Sequence, residues 1–311
     1  MNKIVVLGSF MMDLVTKVER LPKNGETLVG HSFTQNAGGK GANQAATIAK
    51  LGKPVTFAGM VGNDDFGLEA KKVLDSLGVS TDNLEVTNTS ATGIGNVMVD
   101  KEGMNRIVII PGANLVYSAN EFERIKEIVR SSELLILQLE MDFELTKQAI
   151  DFAHGNGVKI LLNPAPARTL SKDLLKKIDY LTPNETELGI LTNQSIQTTE
   201  EAIQAARLLV EEGVKNVIVT LGENGAVWID ESGSITKMKA FSVDAVDTVA
   251  AGDSFNGALA CGIIDDLDKE EILKTANQVG ALTVTKAGAI QALPTIDELE
   301  EFRQAINRIE V

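Results

Sequence analysis

The chain has 311 residues, 44% of them apolar, a formal net charge of −14 and one cysteine. Length and apolar share suit a chain that buries a substantial core. The acidity, with no Lys/Arg block, excludes a reader of nucleic-acid backbone or anionic membrane, which needs clustered cations, but not a small phosphate ligand.

In chain order, "MNKIVVLGSFMM" opens with a charge and an apolar run. The run is short, holds Gly8 and meets Asp13 without a cleavage-type pattern, so residues 3–8 read as a buried strand and not as a signal peptide. A helix is expected over 40–52, a strand over 54–62 and a helix over 65–78, the two helices ending at Gly52 and Gly78. Short apolar runs at 133–140, 158–166, 178–185 and 215–222 alternate with helical patterns near 119–130, 143–155, 184–192 and 198–212. That alternation predicts an α/β fold on a largely parallel sheet, with ligand loops along the edge where the strands end.

Two regions break the rhythm. Residues 14–36 hold two short extended pieces around Pro22 and Gly25, and residues 91–110 read as a hairpin turning near "DKEG". Both alternate apolar and polar residues as half-exposed antiparallel strands do. They are expected to form one small sheet, a lid or an interface, inserted in a single domain of residues 1–311. No internal repeat, low-complexity stretch or membrane-length apolar run is present. The lone Cys261 excludes an intrachain disulfide or a Cys-based zinc site, reads as a small buried hydrophobe, and suits a reducing cytoplasm.

The common nucleotide signatures are missing. "AGGKGAN" has Gly-Lys followed by Gly, without a Gly five residues before Gly39, and no G-x-G-x-x-G joins a first strand to a first helix. His31 and His154 have no neighbour that suggests a triad or a metal site, and both read as surface residues. "NAGGKGANQAA" (36–46) is open between a loop that approaches a ligand, with Asn43 bonding hydroxyls, and a plain Gly-rich turn. "TPNETELGIL" (182–191) spaces Asn184 and Glu187 to hold the water shell of Mg²⁺, yet by itself that spacing reads as a capping box. "VTLGENGAVW" (219–228) is a hairpin, or a shelf where Thr220 and Gly222 meet a nucleotide. "LQLEMD" (137–142) ends a buried strand on Glu140, at the ligand edge.

"DTVAAGDSF" (247–255) carries the sharpest chemistry. Ala250, Ala251 and Gly252 lead into a helix expected to start near Asp253, and their small side chains leave the first-turn amides uncovered as an anion site. An anion site beside a carboxylate is what phosphoryl transfer to an alcohol requires. The bland alternative makes Asp253 a helix cap.

"GGKGANQA", "VGNDDFG", "LLNPAPA", "TPNETE", "VTLGENGA" and "VDTVAAGDSF", in this order and spacing, resemble the ribokinase-like PfkB carbohydrate kinase family over nearly the whole chain. The resemblance implies a three-layer, doubly wound α/β fold with a β lid, and use of ATP, Mg²⁺ and a monovalent cation, usually K⁺. It implies phosphorylation of the O5 hydroxyl of D-ribose, with 2-deoxyribose, then a nucleoside or fructose, as other acceptors. Asp253 would be the general base, and the amides of Ala250, Ala251, Gly252 and Asp253 the anion hole. Asp13, Gly38, Gly39, Lys40, Asn43 and Glu140 would meet the sugar. Asn184 and Glu187 would act through the Mg²⁺ water shell, while Asn184, Thr220, Gly222, Gly225 and Asn277 would line the nucleotide site. Asp247 and the carbonyls of Val249, Thr283, Lys286 and Gly288 would face the monovalent cation.

Family members typically dimerise through the lid strands, which covers exposed edges. Two positions depart from the family. Met11 stands where many bacterial members have Asn, which removes a hydroxyl partner and raises 2-deoxyribose as substrate. Ala292 stands where some offer Ser, which bears on K⁺ affinity. A sugar sensor without catalysis is the reading from another class, and the intact Asp253 segment argues against it. A nicotinamide dehydrogenase would need the missing glycine fingerprint.

Overall fold

Strands that are apolar at every position, not alternate ones, are covered on both faces. In β1 (Ile4–Leu7), Val5 and Leu7 enter one core while Ile4 and Val6 enter a second. The computed structural model describes residues 3–309, without the side chains of Asn307 and Ile309. After β1 come β2 (Met11–Lys17), β3 (Ser32–Gly38), α1 (Lys40–Lys50), β4 (Val55–Gly62), α2 (Asp65–Ser76), β5 (Ser80–Thr87), β6 (Gly93–Val99) and β7 (Asn105–Ile110). The middle of the chain forms α3 (Ala119–Arg130), β8 (Leu134–Leu137), α4 (Phe143–Gly155), β9 (Lys159–Leu162), α5 (Lys172–Leu175), β10 (Tyr180–Leu181), α6 (Glu185–Thr192) and α7 (Thr199–Glu211). It ends with β11 (Asn216–Thr220), β12 (Ala226–Asp230), β13 (Ile235–Met238), α8 (Ala251–Ile264), α9 (Lys269–Val284) and α10 (Ile296–Ile309).

The large sheet has nine strands in the order β13-β12-β11-β10-β9-β8-β1-β4-β5. All its pairings are parallel except those of β12, which runs antiparallel to both neighbours. Residues of α3, α4 and α7 share one core with one face of this sheet, and residues of α1, α8 and α9 share the other core with the opposite face. The fold is thus the expected three-layer α/β architecture. Among the described residues no helix is long and apolar enough to cross a membrane.

The two excursions do meet in one four-stranded sheet, ordered β3-β2-β6-β7. From sequence its strands are expected to be antiparallel, and the two hairpins are, but the central pair β2–β6 is parallel. Each of those strands is the outgoing limb of its own excursion, so they leave the main body in the same direction. The small sheet is rooted by polar contacts. Asp64, the N-cap of α2, accepts from Gly67 N–H at 2.9 Å and from Thr92 N–H at 2.8 Å. Asn114 exchanges hydrogen bonds with the Phe10 backbone, accepting at 3.1 Å and donating at 2.9 Å.

Candidate active site

The helix expected to begin near Asp253 starts two residues earlier, because Ala250 at φ 61 turns the chain through the left-handed region and opens α8 at Ala251. Asp253 is therefore not a cap. Its Oδ2 accepts from Asn43 Nδ2 at 2.8 Å and its Oδ1 from Gln44 Nε2 at 3.4 Å, both donors standing on α1. Ser254 N–H closes onto Ala250 O at 2.8 Å, and Ala251 N–H turns back to Thr248 O at 3.3 Å. Between them, the N–H groups of Gly252 and Asp253 have no acceptor among the described residues, nor has that of Ala250 before the turn, so of the four amides expected to form the anion hole only that of Ala251 is engaged. A Cβ on Gly252 would meet nothing within 4 Å, so the approach to these amides is open. Buried carboxylate and open helix N-terminus stand side by side.

Asp13, on β2, projects its carboxylate between two glycines. A Cβ at Gly38 would lie 3.0 Å from Oδ2, and one at Gly95, its register partner on β6, would lie 2.3 Å from Oδ1. Gly95 is a site residue that sequence reasoning missed; the small residue facing Asp13 across β2–β6 is visible only once that pairing is known. Burial, then the charges of Glu140 and Asp253, push Asp13 up to about 6.

Glu140 follows β8 and accepts from Ser9 Oγ and, at 3.1 Å, from Lys40 N–H. Burial raises its pKa, against the pull of Lys40 and these hydrogen bonds, while Asp253 adds to the rise. Burial opposes the charge on Lys40, but Asp253, Glu140 and Glu187 outweigh it and hold the ammonium above its ordinary value. Lys40 is the counter-charge of an acidic pocket. Gly39 at φ 92 carries the chain into α1 where a Cβ would strike Met11 N at 2.7 Å. Asn43 gives its N–H to Asp253 and keeps a buried Oδ1 that has no partner among the described residues.

Asn184 and Glu187 form the capping box that their spacing suggested, with Glu187 N–H on Asn184 Oδ1 at 2.8 Å and Asn184 N–H on Glu187 Oε2 at 2.9 Å. Burial raises the Glu187 pKa against its Asn184 hydrogen bond and Lys40, and Asp253 also raises it, so the capping box lies within electrostatic reach of the acidic pocket. Thr220 pairs with Asn184 in an isolated bridge. Gly222, at φ 55, has open space where a Cβ would stand, whereas a Cβ on Gly225 would lie 2.0 Å from Met238 O. Gly225 is thus required by the fit of β12 beside β13, and Gly222 leaves room for a ligand. On α9, Asn277 has a buried Nδ2 without a partner among the described residues, one turn before Gly280, whose missing Cβ would face Ala251 O of α8 at 3.8 Å.

Asp247 ties two loops together, accepting from Val249 N–H at 3.1 Å and from Gly288 N–H at 2.9 Å. Val246 N–H, on Val284 O at 2.7 Å, closes the same junction. Thr283 Oγ1 lies 2.9 Å from Ser254 Oγ, which joins this junction to the first turn of α8. Ser254 was not singled out from sequence. Asp247 thus joins Val249 to Gly288, Lys286 N–H bonds Thr283 O at 3.2 Å at the same junction, the Lys286 ammonium is drawn away to Glu298, and Ala292 is fully buried. The donor sets suit the groups that the family resemblance implied. Two carboxamide and carboxylate oxygens at a helix start match an ion that keeps most of its water, and a loop of carbonyls with one carboxylate matches a monovalent cation. Cys261 is buried, with its thiol pushed up to about 12 by desolvation.

The profile of the pfkB family carbohydrate kinases matches residues 1–296. The chain belongs to this family. It is an ATP-dependent carbohydrate kinase. A deoxyribokinase of Salmonella typhimurium is 39% identical over 300 residues, spanning 96% of this chain and 98% of the relative. A ribokinase of Haemophilus influenzae is 37% identical, spanning 96% and 97%. The structure of Arabidopsis thaliana ribokinase complexed with ribose and ATP superposes with a TM-score of 0.90 at 34% identity, covering 97% of this chain and 98% of that one.

Proposed function

We propose that the protein transfers the γ-phosphoryl group of ATP to the O5 hydroxyl of D-ribose, giving D-ribose 5-phosphate and ADP. Asp253 carries this reading: a buried carboxylate with an amide donor on each oxygen, beside two open backbone N–H groups. The O5 proton passes to Asp253 as O5 bonds to the γ-phosphorus. The bond from that phosphorus to the β,γ-bridging oxygen breaks, and its electron pair leaves with ADP. The N–H groups of Gly252 and Asp253, at the turn made by Ala250 and Ala251, stabilise the charge that builds on the transferred group.

Asp13 and Glu140 accept sugar hydroxyls, the free Asn43 Oδ1 accepts another, and Gly38 and Gly39 let the backbone come close. Lys40 balances the acids. Asn184 and Glu187 would hold Mg²⁺ through its water shell, and the ion would neutralise phosphate charge. Thr220, Gly222, Gly225 and Asn277 border the nucleotide. Asp247, with the carbonyls of Val249, Thr283, Lys286 and Gly288, would hold K⁺, whose charge would support the neighbouring anion site.

The small sheet serves as a lid within this single domain, since it carries Asp13. Every residue of β7 is exposed, with Ile107, Val108, Ile109 and Ile110 each more than half accessible. A long apolar edge strand invites pairing, and a second copy of this chain, in the cytoplasm, is its partner.

One observation favours 2-deoxyribose as a second reading. Met11 lies two residues from Asp13 on the same face of β2, is 4% exposed, and belongs to neither core. A thioether there offers no strong partner to a hydroxyl, so a sugar lacking one is not penalised. The deciding experiment is ADP release with ATP, Mg²⁺ and K⁺ over ribose, 2-deoxyribose, fructose, adenosine and pseudouridine. The highest kcat/KM on ribose supports the proposal, and the highest on 2-deoxyribose replaces it with the second reading. Release with none of them would leave a sugar sensor. Asp253→Asn should lower kcat by about 10²- to 10⁴-fold with sugar binding retained, and near-normal turnover would remove Asp253 from the base role.

A further inference from the structure

The residues that follow β1, β8, β9 and β10 are Gly8, Gln138, Asn163 and Thr182. Parallel register aligns Leu7 with Leu137, Leu137 with Leu162 and Leu162 with Leu181, so these four stand in one row across the end of the sheet. All four of those leucines enter the core of α3, α4 and α7. Alternation therefore turns the next row toward α1 and α8.

A polar chain is buried there. Gln138 Nε2 donates to Gln44 Oε1 at 2.6 Å, and Gln44 Nε2 donates to Asn163 Oδ1 at 3.3 Å and to Asp253 Oδ1 at 3.4 Å. Asn163 Nδ2 continues to Thr182 O at 3.1 Å, Thr182 Oγ1 to Asn256 Oδ1 at 2.6 Å, and Asn256 Nδ2 to Gly252 O at 2.8 Å. The chain runs from the base, behind the sheet end, to the first turn of α8.

Its polarity is dictated by Asp253. An ionised carboxylate only accepts, so Gln44 must present its NH₂ there and its oxygen to Gln138. Gln138 then presents its own NH₂, and its Oε1 is left without a partner among the described residues, 2.2 Å from where a Cβ on Gly8 would be. Gly8 is small because this amide needs the space. Gln44 has no solvent exposure, so it reaches substrate only through the groups it touches. Apolar side chains would fill this layer without the desolvation that buried amides suffer, which is hard to account for by packing alone.

We propose that Gln44 is the positioning residue of the catalytic base: set by Gln138 and Asn163, it fixes the plane of the Asp253 carboxylate. The inference rests on Asp253 being the base. It is tested by steady-state kinetics and thermal melting of Gln44→Met, Gln138→Met, the double variant and Asp253→Asn, with ATP and whichever pentose the wild type turns over. Gln44→Met should lower kcat by about 10- to 100-fold, the range for one hydrogen bond to a charged group, with sugar KM within about threefold. Gln138→Met should lower kcat less, and should add nothing once Gln44 is Met.

A Gln44→Met kcat within about threefold of wild type, beside an inactive Asp253→Asn, overturns the inference and leaves the base intact. An undiminished Gln138 effect in the Gln44→Met background also overturns it, since the two would then act independently. Turnover by Asp253→Asn removes the base and this inference together. Should Gln44→Met not fold, Gln138→Met decides: a kcat loss at constant KM supports positioning, and wild-type kinetics refute it.

Discussion

Replacing Asp13 by Asn should make the protein more stable and a poorer kinase. The side chain sits between Gly38 and Gly95, an Asn fills the same volume, and among the described residues no hydrogen bond reaches the carboxylate, so charge is the main thing removed. Burial beside Glu140 and Asp253 lifts the group from 3.8 to about 6. Between those values the folded chain binds the proton and the unfolded chain does not, so stability falls as pH rises through this window. Above it the ionised carboxylate destabilises the fold by about 3 kcal/mol, at about 1.4 kcal/mol per pH unit. Urea unfolding of Asp13→Asn should therefore show a gain of about that size near pH 8, about half of it near pH 5, and none below 3.8. The same variant should raise the sugar KM by about 10- to 100-fold, the worth of a hydrogen bond to a charged acceptor. A variant no more stable than wild type near pH 8, or a gain that does not shrink toward acid, would refute the electrostatic account.

Met11→Asn should raise the ratio of kcat/KM for ribose over 2-deoxyribose by about tenfold, one good hydrogen bond to a hydroxyl; an unchanged ratio would place sugar choice elsewhere. In Gly95→Ala the new Cβ would lie 2.3 Å from Asp13 Oδ1, so the carboxylate must turn away. Sugar KM should rise with little change in kcat, and stability should fall by about 1–3 kcal/mol, whereas an unaltered KM would take Asp13 out of the sugar site. Sedimentation should give the wild type the mass of two chains and Ile107→Glu/Ile109→Glu the mass of one, because both positions are more than half exposed on the edge strand. A wild type that sediments as one chain would remove the dimer.

Part of the candidate site was legible from residue order. The anion turn beside Asp253 and the Glu140 strand end are local patterns, each read within about ten residues. The Gly-rich start of α1 reads equally well as a plain turn, the Asn184/Glu187 pair reads by itself as a capping box, and both take their site roles from the family resemblance. Other parts had no local signal. β5 carries polar residues at positions that a buried strand would fill with apolar ones, β13 is only four residues long, and α9 and α10 follow no motif with assigned chemistry. Gly95 is one glycine of several in its hairpin until β6 is laid beside β2.

What the sequence by itself determined is the set of chemical groups and the alternation of strands and helices on a parallel sheet, because strand and helix periodicity and a helix N-terminus are properties of contiguous residues. The order of the layers came from the family resemblance. Only the tertiary structure decided that Asp253 is not a cap, since Ala250 takes the turn and α1 supplies the partners of the carboxylate from 210 and 209 residues away in the chain. It likewise turned Gly8, Gln138, Asn163 and Thr182, scattered over four strand ends, into a single buried row. Register between parallel strands sets which residues meet, and register is fixed by how the strands pack, not by anything written next to them.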